Sequence, residues 1–124
     1  MTRSSGTRAT IGCLDLAITP RAPVSPERYP VLAYEFGNRC DSPVVVDLAA
    51  MPVIGRAADG QSYALAPYDP HGEIREAVLD GRSYGSERIA YPSAVELIDV
   101  CVDAAAIARH APAQWLCVMT DAVR

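Results

Sequence analysis

Lysine is missing from this sequence, and all eleven basic residues are arginine. That removes lysine Schiff-base chemistry and the phosphate-loop lysine together. The arginines run from Arg3 to Arg124 without a cluster, and the formal net charge is −4. Nucleic-acid binders carry a basic patch or stripe. The lack of one argues against nucleic acid as a partner and, for the same reason, against an anionic membrane surface. Phenylalanine and tryptophan occur once each, as Phe36 and Trp115, and histidine twice, as His71 and His110. No apolar run approaches the ~18 residues of a transmembrane helix. Met1–Gly12 holds no apolar leader segment, so the chain as written reads as cytoplasmic. A leader ahead of it would move it to the cell envelope or outside the cell, and Gly12-Cys13 is similar to the end of a lipoprotein cleavage site.

Sequence signatures of catalysis are equally scarce. There is no G-x-G-x-x-G, no G-x-x-x-x-G-K and no G-x-S-x-G, which leaves no phosphate cradle and no nucleophile elbow. A nucleophilic Ser or Cys needs a base beside it. Neither Cys40 nor Cys117, considered with His71, has such a signature around it. No catalytic residue and no cofactor is assigned. Cysteines occur at 13, 40, 101 and 117 with no C-x-x-C pair, so zinc-ribbon and thioredoxin spacings are absent. The alternatives are disulfides and small buried hydrophobes. Cys101 with Cys117 is the preferred disulfide, because both fall in segments that read as neighbouring strands.

What the chain does have is a core. Its 124 residues suit one domain, half are hydrophobic, and 21% are charged. Arginine without lysine, beside many alanines, matches a high-GC bacterial composition. A polar arm is expected over residues 1–9 and a single domain over 10–124. Leu14, Leu16 and Ile18 alternate with polar neighbours, the period of a half-buried strand. Pro20, Pro26 and Pro30 are expected to bracket a loop. Val31–Phe36 and Val44–Leu48 are the next strands. Asp59-Gly60 marks a hairpin joining Val53–Arg56 to Ser62–Leu65. Ile74–Leu79 reads as strand or short helix. Arg88–Tyr91, Val95–Val102 and Gln114–Thr120 follow as strands. Asp103 is a helix N-cap for a short helix at Ala104–His110. Short strands with turns every ~8–12 residues are the pattern of a β-sandwich or barrel.

The stretches VLAYEFGNRCDSPVVVDLAAMPVIGRAADGQSY and LDGRSYGSERIAYP, within residues 31–92, resemble bacterial immunoglobulin-like accessory domains of envelope and lipoprotein-type proteins. The resemblance implies an antiparallel β-sandwich of about seven to nine strands with a binding or spacer role. It transfers no functional residue, and Trp115 does not fit the Cys-Trp-Cys pattern of antibody domains.

The expected function is therefore a non-catalytic interaction module that engages another protein or a copy of itself through loops or an edge strand. The alternatives are a sandwich that binds carbohydrate or a small ligand, and a metal-dependent site around His71. Tyr63, Tyr68, Tyr84 and Arg82 are the candidate contact residues, since Tyr and Arg are favoured at interface hot spots. Asp69, His71 and Glu73 are the metal candidates. An extended backbone would put these three on one face.

Overall fold

The computed structural model describes residues 7–24, 29–74, 76–108 and 112–120. Along the chain lie β1 (Thr7–Ile11), β2 (Leu14–Val24), β3 (Tyr29–Asn38), β4 (Val44–Val46), β5 (Val53–Arg56) and β6 (Ser62–Ala64). Then come β7 (Ala77–Leu79), β8 (Tyr84–Ala90), β9 (Asp99–Asp103), a 3-10 helix (Ala104–Ala108) and β10 (Trp115–Met119). The protein is mainly β. One four-stranded sheet has the order β1-β2-β3-β8, a second the order β10-β9-β5-β6, and β4 pairs with β7 as a ribbon. Every pairing is antiparallel.

Period-two alternation gives each sheet one apolar face. Leu14, Leu16 and Ile18 of β2 and Leu32, Tyr34 and Phe36 of β3 join Val53, Val100, Val102 and Val118 of the second sheet in one buried cluster. Full burial of such side chains is worth roughly 1.5–3 kcal/mol each. β1 takes part through Ala9 and Ile11. Residues 7–9, expected to end the N-terminal arm, are therefore strand, with Thr7 opposite Ile18 and Ala9 opposite Leu16. Residues 1–6 lie outside the described ones.

The proline loop is a second correction. Pro20 lies within β2, opposite Leu32 of β3. Arg39 N–H donates to Cys13 O, so in this register residues 13, 15, 17, 19 and 21 turn their backbone to β3. The nitrogen of Pro20 faces the β1 side, beyond the described β1–β2 pairing, which runs to Thr7 opposite Ile18. Among the described residues none stands opposite Pro20 on that side. Pro30 likewise serves as an acceptor, taking a bond from Tyr91 N–H. Pro26 is not among the described residues.

Other expectations hold. Gly60 has φ +88° and closes the β5–β6 hairpin, with Ala57 N–H donating to Gln61 O. This is a three-residue loop rather than the two-residue turn. Of Ile74–Leu79, Ala77–Leu79 is strand β7, Ile74 and Glu76 are irregular, and residue 75 lies outside the described ones. Asp103 caps as expected, accepting from Ala105 N–H and also from Gln114 N–H. The helix it starts is of the 3-10 type, and His110 lies outside the described residues. Cys101 pairs with Cys117 across β9 and β10, and Cys13 pairs with Cys40.

Tyr34 and Tyr91 are fully buried, and their hydroxyls share a hydrogen bond of 2.5 Å. Burial, more than the neighbouring ring, pushes Tyr34 well above its ordinary 10.0. Burial also raises Tyr91 to about 12, against a smaller opposing effect of the hydrogen bond. Folded chains thus hold protons that unfolded tyrosines release above pH 10. The contribution is complete below pH 10 and is lost as pH rises toward 12. Urea midpoints taken across that range are expected to be flat up to pH 10 and to fall beyond it. In Tyr34→Phe the fall is expected to shrink, because one of the two titrating groups is gone.

Candidate functional site

The geometry around β8 is set by the loop that leads into it. Asn38, buried at the end of β3, donates through its amide to the carbonyls of Ser42, Leu79 and Asp80, and accepts from Cys40 N–H. Gly81 packs so closely on the backbone carbonyl of Asp41 that a Cβ would collide with it. Arg82 follows in the left-handed region at φ 59°. Its N–H donates to Cys40 O, and its Nε donates to Asp41 Oδ1 at 2.8 Å. These contacts seat residues 79–83 on residues 38–42, so β8 starts from a defined point.

β8 is an edge strand. Asn38 N–H donates to Ser83 O, and Tyr91 N–H donates to Pro30 O. Between these bonds Leu32 faces Ile89, Tyr34 faces Glu87 and Phe36 faces Gly85. In an antiparallel ladder only alternate residues turn their backbone toward a given neighbour. Gly85, Glu87 and Ile89 therefore turn theirs to β3, while Tyr84, Ser86 and Arg88 present N–H and C=O outward. Among the described residues none of those three has a backbone partner on its outward side, and all three are exposed. The next outward carbonyl, that of Ala90, is taken by Tyr68 N–H at 2.7 Å. Beside the Gly85–Glu87 half of the strand lies a cleft of about 270 Å³. Phe36, Val46, Leu48 and Leu79 give it apolar walls, and Glu73 and Glu87 also line it.

Three of the four candidate contact residues border this edge. Tyr84 begins β8 and is 87% exposed, with its ring over Gly37. Arg82 sits just before it, and Tyr68 lies at the far end. Tyr63 does not join them, because it is on β6 of the other sheet. The three metal candidates do not converge either. Pro70 and His71 form a turn, with Gly72 at φ +64°, rather than an extended run. Asp69 uses both carboxylate oxygens on the N–H groups of Glu73 and Ile74. Among the described residues no group of three His, Cys, Asp or Glu side chains is arranged to hold a metal ion. Cys40 and Cys117 are both in disulfides.

Two polar residues escaped sequence reasoning. Asp99 is fully buried and forms a two-pronged ion pair with Arg56 across β5 and β9, at 2.8 and 2.5 Å. An acid inside the apolar run Leu97–Val102 was the available signal. Asn38 carries no sequence signal beyond a residue type that favours turns.

Comparison with protein-family models, curated proteins and solved structures finds no match to this chain.

The Asn38→Ala substitution removes one acceptor and the donors to three carbonyls. Leaving buried backbone groups without partners costs about 1–3 kcal/mol. Urea unfolding of the variant is expected to show that loss. An unchanged midpoint would mean that water replaces Asn38 freely.

Proposed function

We propose that the protein is a non-catalytic interaction module with an immunoglobulin-like sandwich architecture, and that it receives an extended polypeptide strand along β8. The strand order supports the architecture. In the constant-type arrangement strands A, B and E share one sheet and C, F and G the other, and variable-type domains add C′ beside C. Here β2-β3-β8 correspond in order and direction to A-B-E, and β10-β9-β5-β6 to G-F-C-C′. β7 occupies the part of the chain where strand D would come, and its partner β4 lies between the strands corresponding to B and C.

One observation carries the functional reading: Tyr84, Ser86 and Arg88 turn backbone groups outward on a regular strand, and among the described residues these have no backbone partner. Strand addition uses such groups for affinity and adjacent pockets for specificity. The cleft at Gly85–Glu87 is placed to take a side chain of the incoming strand, and Glu73 and Glu87 beside it favour a cationic neighbour. Tyr84 adds an aromatic contact at one end. The two disulfides suit an oxidising compartment, so the cell envelope or the exterior is the proposed location.

Selection of a displayed library of linear nonapeptides against the wild-type protein tests this. The expected binders are extended sequences that lose about tenfold in affinity on Ser86→Pro, roughly the worth of one to two backbone hydrogen bonds. Proline is tolerated at an edge position whose N–H faces outward. A library that yields no binder sensitive to Ser86→Pro overturns the reading.

A further inference from the structure

We infer that the strand received along β8 is β8 of a second copy, paired antiparallel about a two-fold axis at Ser86. The inference rests on the edge-binding reading and names its partner.

Among the sheet edges, β8 offers the longest run without a backbone partner among the described residues, from Tyr84 to Arg88, short of Ala90 where Tyr68 N–H bonds. β1 and β10 approach one another at the other side of the two sheets, and β4, β6 and β7 have only three residues each. β8 runs from Tyr84 to Ala90 without a bulge or proline. Charged side chains, lysine above all, commonly guard protein edges; the charges on β8 are Glu87 and Arg88, which the register below places opposite Gly85 and Tyr84 of the second copy.

The sequence of β8 is complementary to itself in one register. With Ser86 opposite Ser86 of the second copy, Tyr84 faces the second copy's Arg88, and Arg88 faces its Tyr84. All three are residues whose backbone turns outward, so each becomes a hydrogen-bonded pair that exchanges both N–H···O bonds. The side chains of Tyr84, Ser86 and Arg88 share the sheet face away from the core, where the guanidinium can lie against the Tyr84 ring. On the opposite face Gly85 meets the second copy's Glu87, so no like charges stand opposite each other. Other registers lack this fit. An axis at Arg88 sets two guanidiniums face to face. An axis at Tyr84 draws in Arg82, whose φ of 59° is not that of a strand. The isologous contact closes on itself, which joins two four-stranded sheets into one continuous sheet and leaves no open β8.

Sedimentation of the full chain from micromolar to millimolar concentration tests the inference. A reversible monomer–dimer equilibrium is expected. Tyr84→Arg puts like charges opposite each other twice per dimer and is expected to weaken association about tenfold. Tyr84→Glu restores an attractive pair with Arg88 and is expected to keep it. Ser86→Cys is expected to yield a covalent dimer on mild oxidation, since hydrogen-bonded strand pairs bring Cα atoms to about 5.5 Å. A chain that stays monomeric, or a dimer indifferent to the Tyr84 charge series and not cross-linked through Cys at position 86, overturns it. If nonapeptides still bind in a Ser86-dependent way to a monomeric chain, the second-copy inference alone fails. If they do not, the edge reading fails with it.

Discussion

The alternation of an antiparallel ladder governs both the inside and the outside of this protein. Along β2, β3 and β9 it decides which side chains enter the shared core. Along β8 it decides which backbone groups are spent on β3 and which remain. Leu32, Tyr34 and Phe36 must face inward to bury their apolar surface. That fixes the register of β3 against β8, and the register fixes the outward direction of Tyr84, Ser86 and Arg88. The open edge follows from core packing, since among the described residues no strand pairs with β8 on the side away from β3.

The polar interior serves the same arrangement. Asn38 ties the end of β3 to the loop before β8, and the Arg56–Asp99 pair locks β5 to β9 in register. A buried carboxylate costs free energy unless it is well paired, so the ion pair reports specificity of strand matching more than net stability. The Tyr34–Tyr91 hydroxyls satisfy each other where no water reaches. The disulfides fasten neighbouring strands rather than the two sheets: Cys101–Cys117 bridges β9 and β10, and Cys13–Cys40 joins the β1–β2 turn to the segment after β3. The contact between the sheets is left to apolar packing.

Much of this was legible in local sequence. The Leu14-Leu16-Ile18 alternation, the Asp59-Gly60 turn, the Asp103 cap and the Cys101–Cys117 pairing each depend on residues close in the chain or on one strand's pattern. Features that depend on which strand neighbours which were not legible. Pro20 reads as a breaker, yet a missing N–H matters only on the side where a partner waits, and no described residue of β1 pairs with it. Thr7–Ala9 read as an arm because two apolar residues, Ala9 and Ile11, are too few to signal a strand alone. The site shows the same division. Tyr84 and Arg82 stood out as exposed anchor types, while Tyr63, of the same type, belongs to another edge. The significance of Ser86 came only with the sheet order, and the Asp69–Glu73 spacing lost its meaning once the segment proved to be a turn.

Residue-resolved amide hydrogen exchange, at a dilution where the chain is monomeric, addresses the central claim most directly. The account predicts rapid exchange at Tyr84, Ser86 and Arg88 and slow exchange at Gly85, Glu87 and Ile89, a two-residue rhythm along a single strand. Uniform protection across Tyr84–Ile89 would contradict it, because it would mean that β8 already has a neighbour on both sides.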